Sequence, residues 1–124
     1  MQLRPYSVDA GDDVLTRNAL ELNQKPVYVI ESAHNGELPP EKSYCITDKD
    51  TTAVISTIKR AEDNDGWIIR AVEAAGKNTS AEFNFVWLGF SQKFTFTPYE
   101  IKTIKIADNS GTAVETNLLE YNHV

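Results

Sequence analysis

Hydrophobic and polar positions alternate along much of the chain after Pro26. The clearest case is residues 81–87, where Ala, Phe, Phe and Trp occupy every second position, and residues 93–97 repeat the pattern with two phenylalanines. Because successive side chains of a β-strand point to opposite faces of a sheet, this period of two predicts strands with one buried face. The core is therefore expected to contain Phe83, Phe85, Phe94 and Phe96.

Runs rich in β-branched and aromatic residues recur at short intervals, separated by segments rich in Gly, Pro, Asn and Asp. Such spacing, without a convincing ten-residue helical pattern, is typical of an antiparallel sandwich. The sequence predicts an all-β fold, an antiparallel β-sandwich of about seven to eight strands, with no helix longer than about two turns. The predicted strands are residues 27–30, 44–47, 52–59, 67–73, 81–87, 93–97, 100–106 and 113–119.

The first 25 residues lack this alternation. Residues 10–13 read A-G-D-D, which indicates a turn, and residues 14–22 fit either a short helix or an extended segment. We therefore predict an irregular segment over residues 1–25 and a β-sandwich domain over residues 26–124. At 124 residues the chain is long enough for one domain with its own core.

Residues 99–106 break the alternation. The first two apolar side chains point to one face of a regular strand, whereas Ile104 and Ile106 point to the other. Two explanations remain open. Either both faces of the strand are covered, as happens when another domain packs on the sheet, or a β-bulge between Lys102 and Thr103 reverses the second half.

The charge balance of the chain narrows the classes of partner. The net charge is −6, and a protein that binds nucleic acid needs a basic face, so nucleic acid is excluded. No apolar stretch approaches the ~20 residues of a membrane-spanning helix, so no membrane partner is expected. A single cysteine, Cys45, excludes an internal disulfide framework and fits a cytoplasmic location.

The most charged segment is residues 59–73, which read K-R-A-E-D-N-D-G-W-I-I-R-A-V-E. Residues 63–66 carry a turn signal, because Asn and Asp tolerate left-handed backbone angles and Gly adopts them freely. The segment therefore predicts a β-hairpin. Its charges cluster at the strand ends, where a partner surface can use them, rather than on one face only.

Two registers are open for this hairpin. A four-residue connection places Glu62 opposite Trp67. It also places Lys59 opposite Arg70, and like charges that face each other across a sheet are destabilising unless a carboxylate from elsewhere lies between them. The second register matches Arg70 to Glu62 instead.

We assign these charges, with two nearby carboxylates, to an ion network that is internal to the domain or belongs to a docking surface for another domain. Direct contact with a sugar is the third alternative. Arg70 is expected to pair with Glu62, with Glu73 or with an acid of another domain, because its planar guanidinium binds a carboxylate at two points. The candidate site residues are Lys59, Arg60, Glu62, Asp63, Arg70, Glu73 and Glu100.

No catalytic or metal-binding residue is predicted in this chain. Acids at turns are usually solvated or paired with basic neighbours, whereas a retaining glycosidase needs two carboxyl groups about 5–5.5 Å apart in a cleft. The histidines and the cysteine (His34, His123 and Cys45) lack the spacing of zinc ligands. Cys45 also lies in a strand-like run, where a small core filler is expected.

The charged hairpin resembles one in the C-terminal β-sandwich region of α-mannosidases of glycoside hydrolase family 38. In that family a strand ending in K-x-A-E-D leads through a D-G turn into I-x-R-x-x-E. Further similar segments follow in the expected order along the chain. They are L-N-Q-K-P at 22–26, H-N-G-E-L-P at 34–39, P-Y-E-I-K-T-I-K-I at 98–106 and E-T-N-L-L-E at 115–120.

The resemblance implies a non-catalytic domain of an α-mannosidase, an enzyme that hydrolyses α-mannosidic bonds in mannose-containing glycans. Family members are several times longer, and their catalytic carboxylates and zinc belong to a preceding domain that this chain does not resemble. The chain is therefore expected to be an inactive piece of such an enzyme, with no cofactor of its own. Its expected roles are to pack on the catalytic domain, to shape the rim of the cleft and to support a homo-oligomer.

Two other functions remain open. An independent carbohydrate-binding module predicts two or three exposed aromatic residues in a row, for which Trp67, Trp87 and Tyr99 are the candidates. An interaction domain unrelated to sugars predicts an apolar patch on the outer face and no affinity for sugar.

Overall fold

Two antiparallel sheets form the fold, which confirms the predicted all-β sandwich. The computed structural model describes residues 3, 5–37, 39, 41–48, 50–108 and 111–120. Its elements are α1 Asp12–Asn23, β1 Cys45–Thr47, β2 Ala53–Arg60, β3 Trp67–Glu73, β4 Thr79–Phe85, a 3-10 turn Val86–Leu88, β5 Phe90–Phe96, β6 Ile101–Ile106 and β7 Ala113–Thr116. One sheet has the order β1-β4-β5 and the other has the order β2-β3-β6-β7.

The core lies between the two sheets, and the predicted phenylalanines supply most of its volume. Phe83 and Phe85 are fully buried, and their rings contact those of Phe94, Phe96 and Phe90 at centroid distances of 5.7–6.4 Å. Burying a side chain of this size contributes about 1.5–3 kcal/mol before entropy is subtracted. The prediction that these four phenylalanines form the core is confirmed. The opposing sheet adds Ala53, Ile69, Ala71, Ile104 and Ile106.

The prediction of irregular structure over residues 1–25 is wrong for residues 12–23, which form α1. The prediction that no helix exceeds about two turns is also wrong, because the 12 residues of α1 make more than three turns. Asp12 and Asp13 lie in its first turn, where carboxylates favour the helix dipole. None of its residues is fully buried, and a helix that buries no face needs no strong apolar stripe in its sequence. The helix is held to the sandwich from its middle, because Arg17 donates to the carbonyl oxygens of Thr51 and Ala53, both at 3.0 Å.

The strand predicted at residues 27–30 is also wrong. The described residues between α1 and β1 form no strand, and the four side chains of this run are 83–94% exposed. A run with high β-propensity becomes a strand only where a neighbouring strand accepts its hydrogen bonds, and none lies beside it. The strand predicted at 81–87 ends at Phe85, where a 3-10 turn begins and Gly89 then adopts a left-handed φ of 63°.

The break in alternation at residues 99–106 does not come from a bulge in that strand. β6 pairs with β3 in a regular register from Ile101 to Ile106, and Lys102 occupies the core-facing position at the open end. The irregularity lies in β2, between Ile55 and Thr57. Both faces of β6 are covered at its centre, since consecutive residues Thr103 and Ile104 are buried.

The outer face of the four-stranded sheet is covered by the chain itself. Ile68 points to this face and is nevertheless fully buried. The segment 117–120 follows β7 back across the sheet, because Arg70 donates to the carbonyl of Leu118 and Lys59 pairs with Glu120. Coverage of the second face therefore needs no other domain at this point.

Candidate functional site

The charged hairpin joins β2 to β3 in a register that matches neither prediction. Arg60 lies opposite Trp67 and Thr57 lies opposite Arg70. The connection therefore spans residues 61–66, two residues more than the turn signal suggested. Backbone hydrogen bonds close it, from Ala61 to the Gly66 carbonyl and from Asn64 to the Ala61 carbonyl.

Positive φ angles in this connection explain its length. Asn64 adopts φ 59° and Gly66 adopts φ 106°. Gly66 is also buried against β6, where a β-carbon would lie 2.2 Å from the carbonyl oxygen of Ile106. The sequence predicts the turn at residues 63–66. Ala61 and Glu62 also belong to the loop, because Gly66 packs against the neighbouring strand.

Lys59 lies between two carboxylates. Its Nζ pairs with Glu62 and, at 2.7 Å, with Oε1 of Glu120. The other oxygen of Glu120 accepts the backbone N–H of Glu62 at 2.8 Å, and its side chain is 7% exposed. The hydrogen bond from Lys59 and that from the Glu62 backbone lower the pKa of Glu120. Glu120 thus connects the C-terminal segment to the base of the hairpin.

Arg70 belongs to the same cluster. It donates to the Leu118 carbonyl at 3.0 Å and lies 3.9 Å from the Glu120 carboxylate. The expected pairing with Glu62 or Glu73 is wrong, because neither carboxylate lies within reach of its guanidinium in the observed register. Its Nε is buried and has no hydrogen-bond partner in the described part of the chain. Lys59 and Arg70 do not lie opposite each other in the observed register, but both lie beside the carboxylate of Glu120, which was not among the predicted site residues.

Arg60 forms a second group at the same end of the sheet. Its guanidinium binds Asp108 at two points, 2.9 and 2.8 Å, and donates to the Asn64 carbonyl at 2.6 Å. It also lies over the ring of Trp67, 5.0 Å from the centroid. The hydrogen bond from Arg60 lowers the pKa of Asp108. Nearby, Lys105 pairs with Asp63 and lowers the pKa of that carboxyl.

Glu73 lies at the opposite end of β3, and its carboxylate is fully buried. It accepts five hydrogen bonds. Oε1 binds the Thr52 hydroxyl at 2.6 Å and the N–H of Ala75 at 2.9 Å. Oε2 binds the N–H groups of Gly76, Lys77 and Tyr99 at 2.7, 3.1 and 3.0 Å.

Burial alone would raise the pKa of Glu73. The hydrogen bonds from Thr52 and from the backbone of Tyr99, Ala75 and Lys77 outweigh burial and lower the pKa to about 2. The carboxylate therefore stays ionised inside the domain. It joins the β3–β4 turn to the β5–β6 turn, where Tyr99 adopts a left-handed φ of 59°.

Glu100 supports the second of these turns. Its carboxylate accepts the N–H of Thr97 at 2.7 Å and pairs with Lys102 at 3.0 Å. The backbone hydrogen bond from Thr97 and the bond from Lys102 lower its pKa. Lys102 in turn reaches Glu115 at 2.9 Å, and its Nζ lies 5.8 Å from the centroid of the Phe96 ring.

The predicted site residues therefore form two clusters rather than one. Lys59, Arg60, Glu62, Asp63 and Arg70 gather at the hairpin end, and Glu73 and Glu100 hold the turns at the other end. In neither cluster do two free carboxylates face a cleft. In the described part of the chain no three His, Cys, Asp or Glu residues lie close enough to hold a metal ion. His34 pairs with Glu31, and His123 lies outside the described residues.

The three aromatic candidates for a sugar platform do not line up. Trp67 and Trp87 are half-buried and meet edge to face, with centroids 4.3 Å apart and planes at 88°. Tyr99 is exposed, but it lies beside Glu73 at the other end of β3, roughly 20 Å away at the rise of a β-strand. This arrangement does not favour an independent carbohydrate-binding module.

One family is similar to the middle of the chain. The family described as "Glycosyl hydrolases family 38 C-terminal beta sandwich domain" matches residues 52–93, which carry the charged hairpin, Glu73 and strands β2 to β4. No curated protein and no solved structure matches the chain. No helix within the described ranges has the length and apolar character that a membrane span requires. The resemblance noted in the sequence is thus confirmed over residues 52–93, which are similar to the C-terminal β-sandwich domain of family 38 glycosyl hydrolases.

Proposed function

We propose that the chain is a non-catalytic C-terminal β-sandwich domain of an α-mannosidase. The observation that carries the proposal is the family match, since it covers the charged hairpin and Glu73, around which the two clusters form. In this proposal the parent enzyme hydrolyses α-mannosidic bonds in mannose-containing glycans, in the cytoplasm. The sandwich packs on the catalytic domain and supports it.

The chemistry of the carboxylates supports a structural role. Glu73 is the most perturbed acid of the site, but all its hydrogen-bonding capacity is used by five donors and it has no access to solvent. A nucleophile or a general acid must contact the substrate. Glu100 and Glu120 are likewise engaged by backbone N–H groups and lysines.

The residues that the structure describes provide no zinc site. Zinc sites need three or four His, Cys or carboxylate ligands around one point, and no such group exists among the residues that the structure describes. In this proposal the zinc of the parent is therefore held by ligands of the catalytic domain. The sandwich contributes no ligand to it.

The hairpin end is the part of the surface best suited to docking. Its tip carries exposed charges on Glu62, Asp63 and Asp65. Lys105 pairs with Asp63, and Arg60 pairs with Asp108. Charges fixed in this way are preorganised, so that a complementary surface binds them with little loss of side-chain freedom.

The test begins with the DNA upstream of the codon for Met1. We expect an upstream sequence that encodes a family 38 catalytic domain in the same reading frame. The protein that spans both parts is then compared with one that lacks residues 1–124. Loss of the sandwich should lower the melting temperature and the rate of hydrolysis of an aryl α-mannoside. The rate of hydrolysis of an aryl α-glucoside should not rise. An unchanged melting temperature and rate would contradict the proposed role.

A further inference from the structure

Residues 27–30 read V-Y-V-I and form an apolar run that the rest of the chain leaves uncovered. Their side chains are 94%, 83%, 84% and 90% exposed. Burial of an aliphatic or aromatic side chain of this size contributes about 1.5–3 kcal/mol. A run of four such residues with high β-propensity is therefore an unsatisfied interaction surface of the isolated chain.

A groove of about 850 Å3 is lined by Gln24, which precedes this run by three residues. Leu20 and Gln24 of α1 line one side, and Cys45 and Thr47 of β1 line another. The third side consists of five consecutive residues of β2, which are Val54, Ile55, Ser56, Thr57 and Ile58. Because consecutive residues of a strand point alternately to its two faces, a groove lined by all five must run along the open edge of β2.

The edges that face this groove have room for one more strand. β1 and β2 are the terminal strands of their sheets, as far as the structure describes the chain. Arg17 binds the carbonyls of Thr51 and Ala53, so that the part of the β2 edge not held by Arg17 begins at Val54. The remaining stretch of five residues is long enough for the four residues of the V-Y-V-I run.

We propose that residues 27–30 of one copy occupy this groove in a second copy of the chain, as a strand added to its open edge. The run and the groove belong to the same chain, so two copies can exchange their runs reciprocally about a twofold axis. Gln24 and Cys45 line the groove at the two ends of the connection that carries the run. The connection that carries the run therefore begins and ends beside the groove.

The area available is sufficient for a stable dimer. Each copy would bury one tyrosine and three aliphatic side chains, together with the groove walls that they cover. From the areas of such side chains, the exchange removes on the order of 1,000 Å2 or more from water, the size at which specific interfaces begin. The exchange is independent of the proposed function, and the two can fail separately.

The first experiment measures mass by light scattering on the 124-residue chain across a range of concentrations. We expect a shift from 13.9 kDa to twice that mass as concentration rises. Replacing Val27 and Val29 by Asp should raise the dissociation constant about tenfold or more. Val8→Asp changes an equally exposed valine outside the run and should leave it unchanged. A wild-type chain that stays monomeric would overturn the proposal.

The second experiment uses the single cysteine of the chain, Cys45, which lies in the groove. A variant with Val29→Cys and Cys45→Ser is mixed with wild type and oxidised at alkaline pH, since burial raises the pKa of Cys45. Exchange predicts a disulfide between the two chains, located by peptide mass spectrometry. The control with Val8→Cys and Cys45→Ser should form none.

An internal disulfide in the Val29→Cys single variant, without a cross-link in the mixture, would show that the run folds into its own groove. That result would overturn the exchange.

Discussion

The Glu73 carboxylate carries a full negative charge inside the sandwich, and its donors are one hydroxyl and four backbone N–H groups. Burying an ion is costly unless it is fully hydrogen-bonded, and these donors meet that requirement. They belong to segments far apart in the chain, from Thr52 to Tyr99. One side chain therefore fixes two turns relative to the start of β2.

Replacing Glu73 with Gln should lower the free energy of unfolding at neutral pH. A pKa of about 2, against an ordinary value of 4.5, corresponds to a stabilisation on the order of 3 kcal/mol. The glutamine also places an NH2 group against N–H donors. Chemical denaturation measures the change, with Glu41→Gln, an exposed acid, as the matched control. Equal stability of the two variants would contradict the role of Glu73.

The same carboxylate predicts a loss of stability in acid. Because the pKa of Glu73 is lower in the folded chain, the unfolded chain takes up the proton first as the pH falls. The contribution is complete above about pH 5, declines through 4.5 and is gone near pH 2. Denaturation between pH 7 and pH 2 should show a smaller slope for Glu73→Gln than for wild type. Parallel curves would refute the assignment.

At the scale of elements, the β2–β3 hairpin is fixed by its contact with β6 and by the segment that follows β7. Gly66 packs on the backbone of Ile106, and Arg70 holds the carbonyl of Leu118. Local turn chemistry selects a hairpin, but its register depends on these two tertiary contacts. The ion network is accordingly a consequence of how three strands and a terminal segment meet.

Gly66→Ala should destabilise the chain by at least about 2 kcal/mol, because the added β-carbon meets the Ile106 carbonyl oxygen and φ is 106°. Gly89→Ala is the control, since Gly89 also has a positive φ, 63°, but has open space around its β-carbon position. The control should cost about 1 kcal/mol. Thermal denaturation of both variants compares the two costs, and equal costs would exclude the steric contact.

Arg70→Ala should lower the stability of the isolated chain by about 1–2 kcal/mol, since it removes a charged hydrogen bond to Leu118 and weakens the hold on Glu120. Lys93→Ala removes an exposed cation of β5 as a control. Amide hydrogen exchange should show faster exchange at Glu62, whose N–H binds Glu120. Unchanged exchange there would mean that the cluster does not hold the hairpin.

At the scale of the whole molecule, the isolated chain should not hydrolyse an aryl α-mannoside above background, with or without added zinc. The carboxylates of Glu73, Glu100 and Glu120 are engaged, and among the described residues no three potential metal ligands converge. Initial rates with purified protein measure this, with the Glu73→Gln variant as a control for contaminating enzyme. Zinc-dependent turnover that disappears in a variant of this chain would refute the proposed non-catalytic role.

The sandwich was predictable because alternation at Phe83, Phe85, Phe94 and Phe96 depends only on strand geometry. The partners of the charged side chains could not be predicted in the same way. Glu120 lies 58 residues from the hairpin N–H that it binds. Four of the five donors to Glu73 are backbone N–H groups, which carry no sequence signal. α1 lacks a fully buried face, and residues 27–30 have strand propensity without a neighbouring strand in the described chain.

The edge-to-face tryptophans have an optical consequence. Trp67 begins β3 of one sheet, and Trp87 follows β4 of the other, so their contact exists only while the two sheets are packed together. Indole rings with centroids 4.3 Å apart couple their electronic transitions, and the chain contains two tryptophans. The resulting exciton couplet in circular dichroism makes the native chain its own spectroscopic reporter of whether the sandwich is closed.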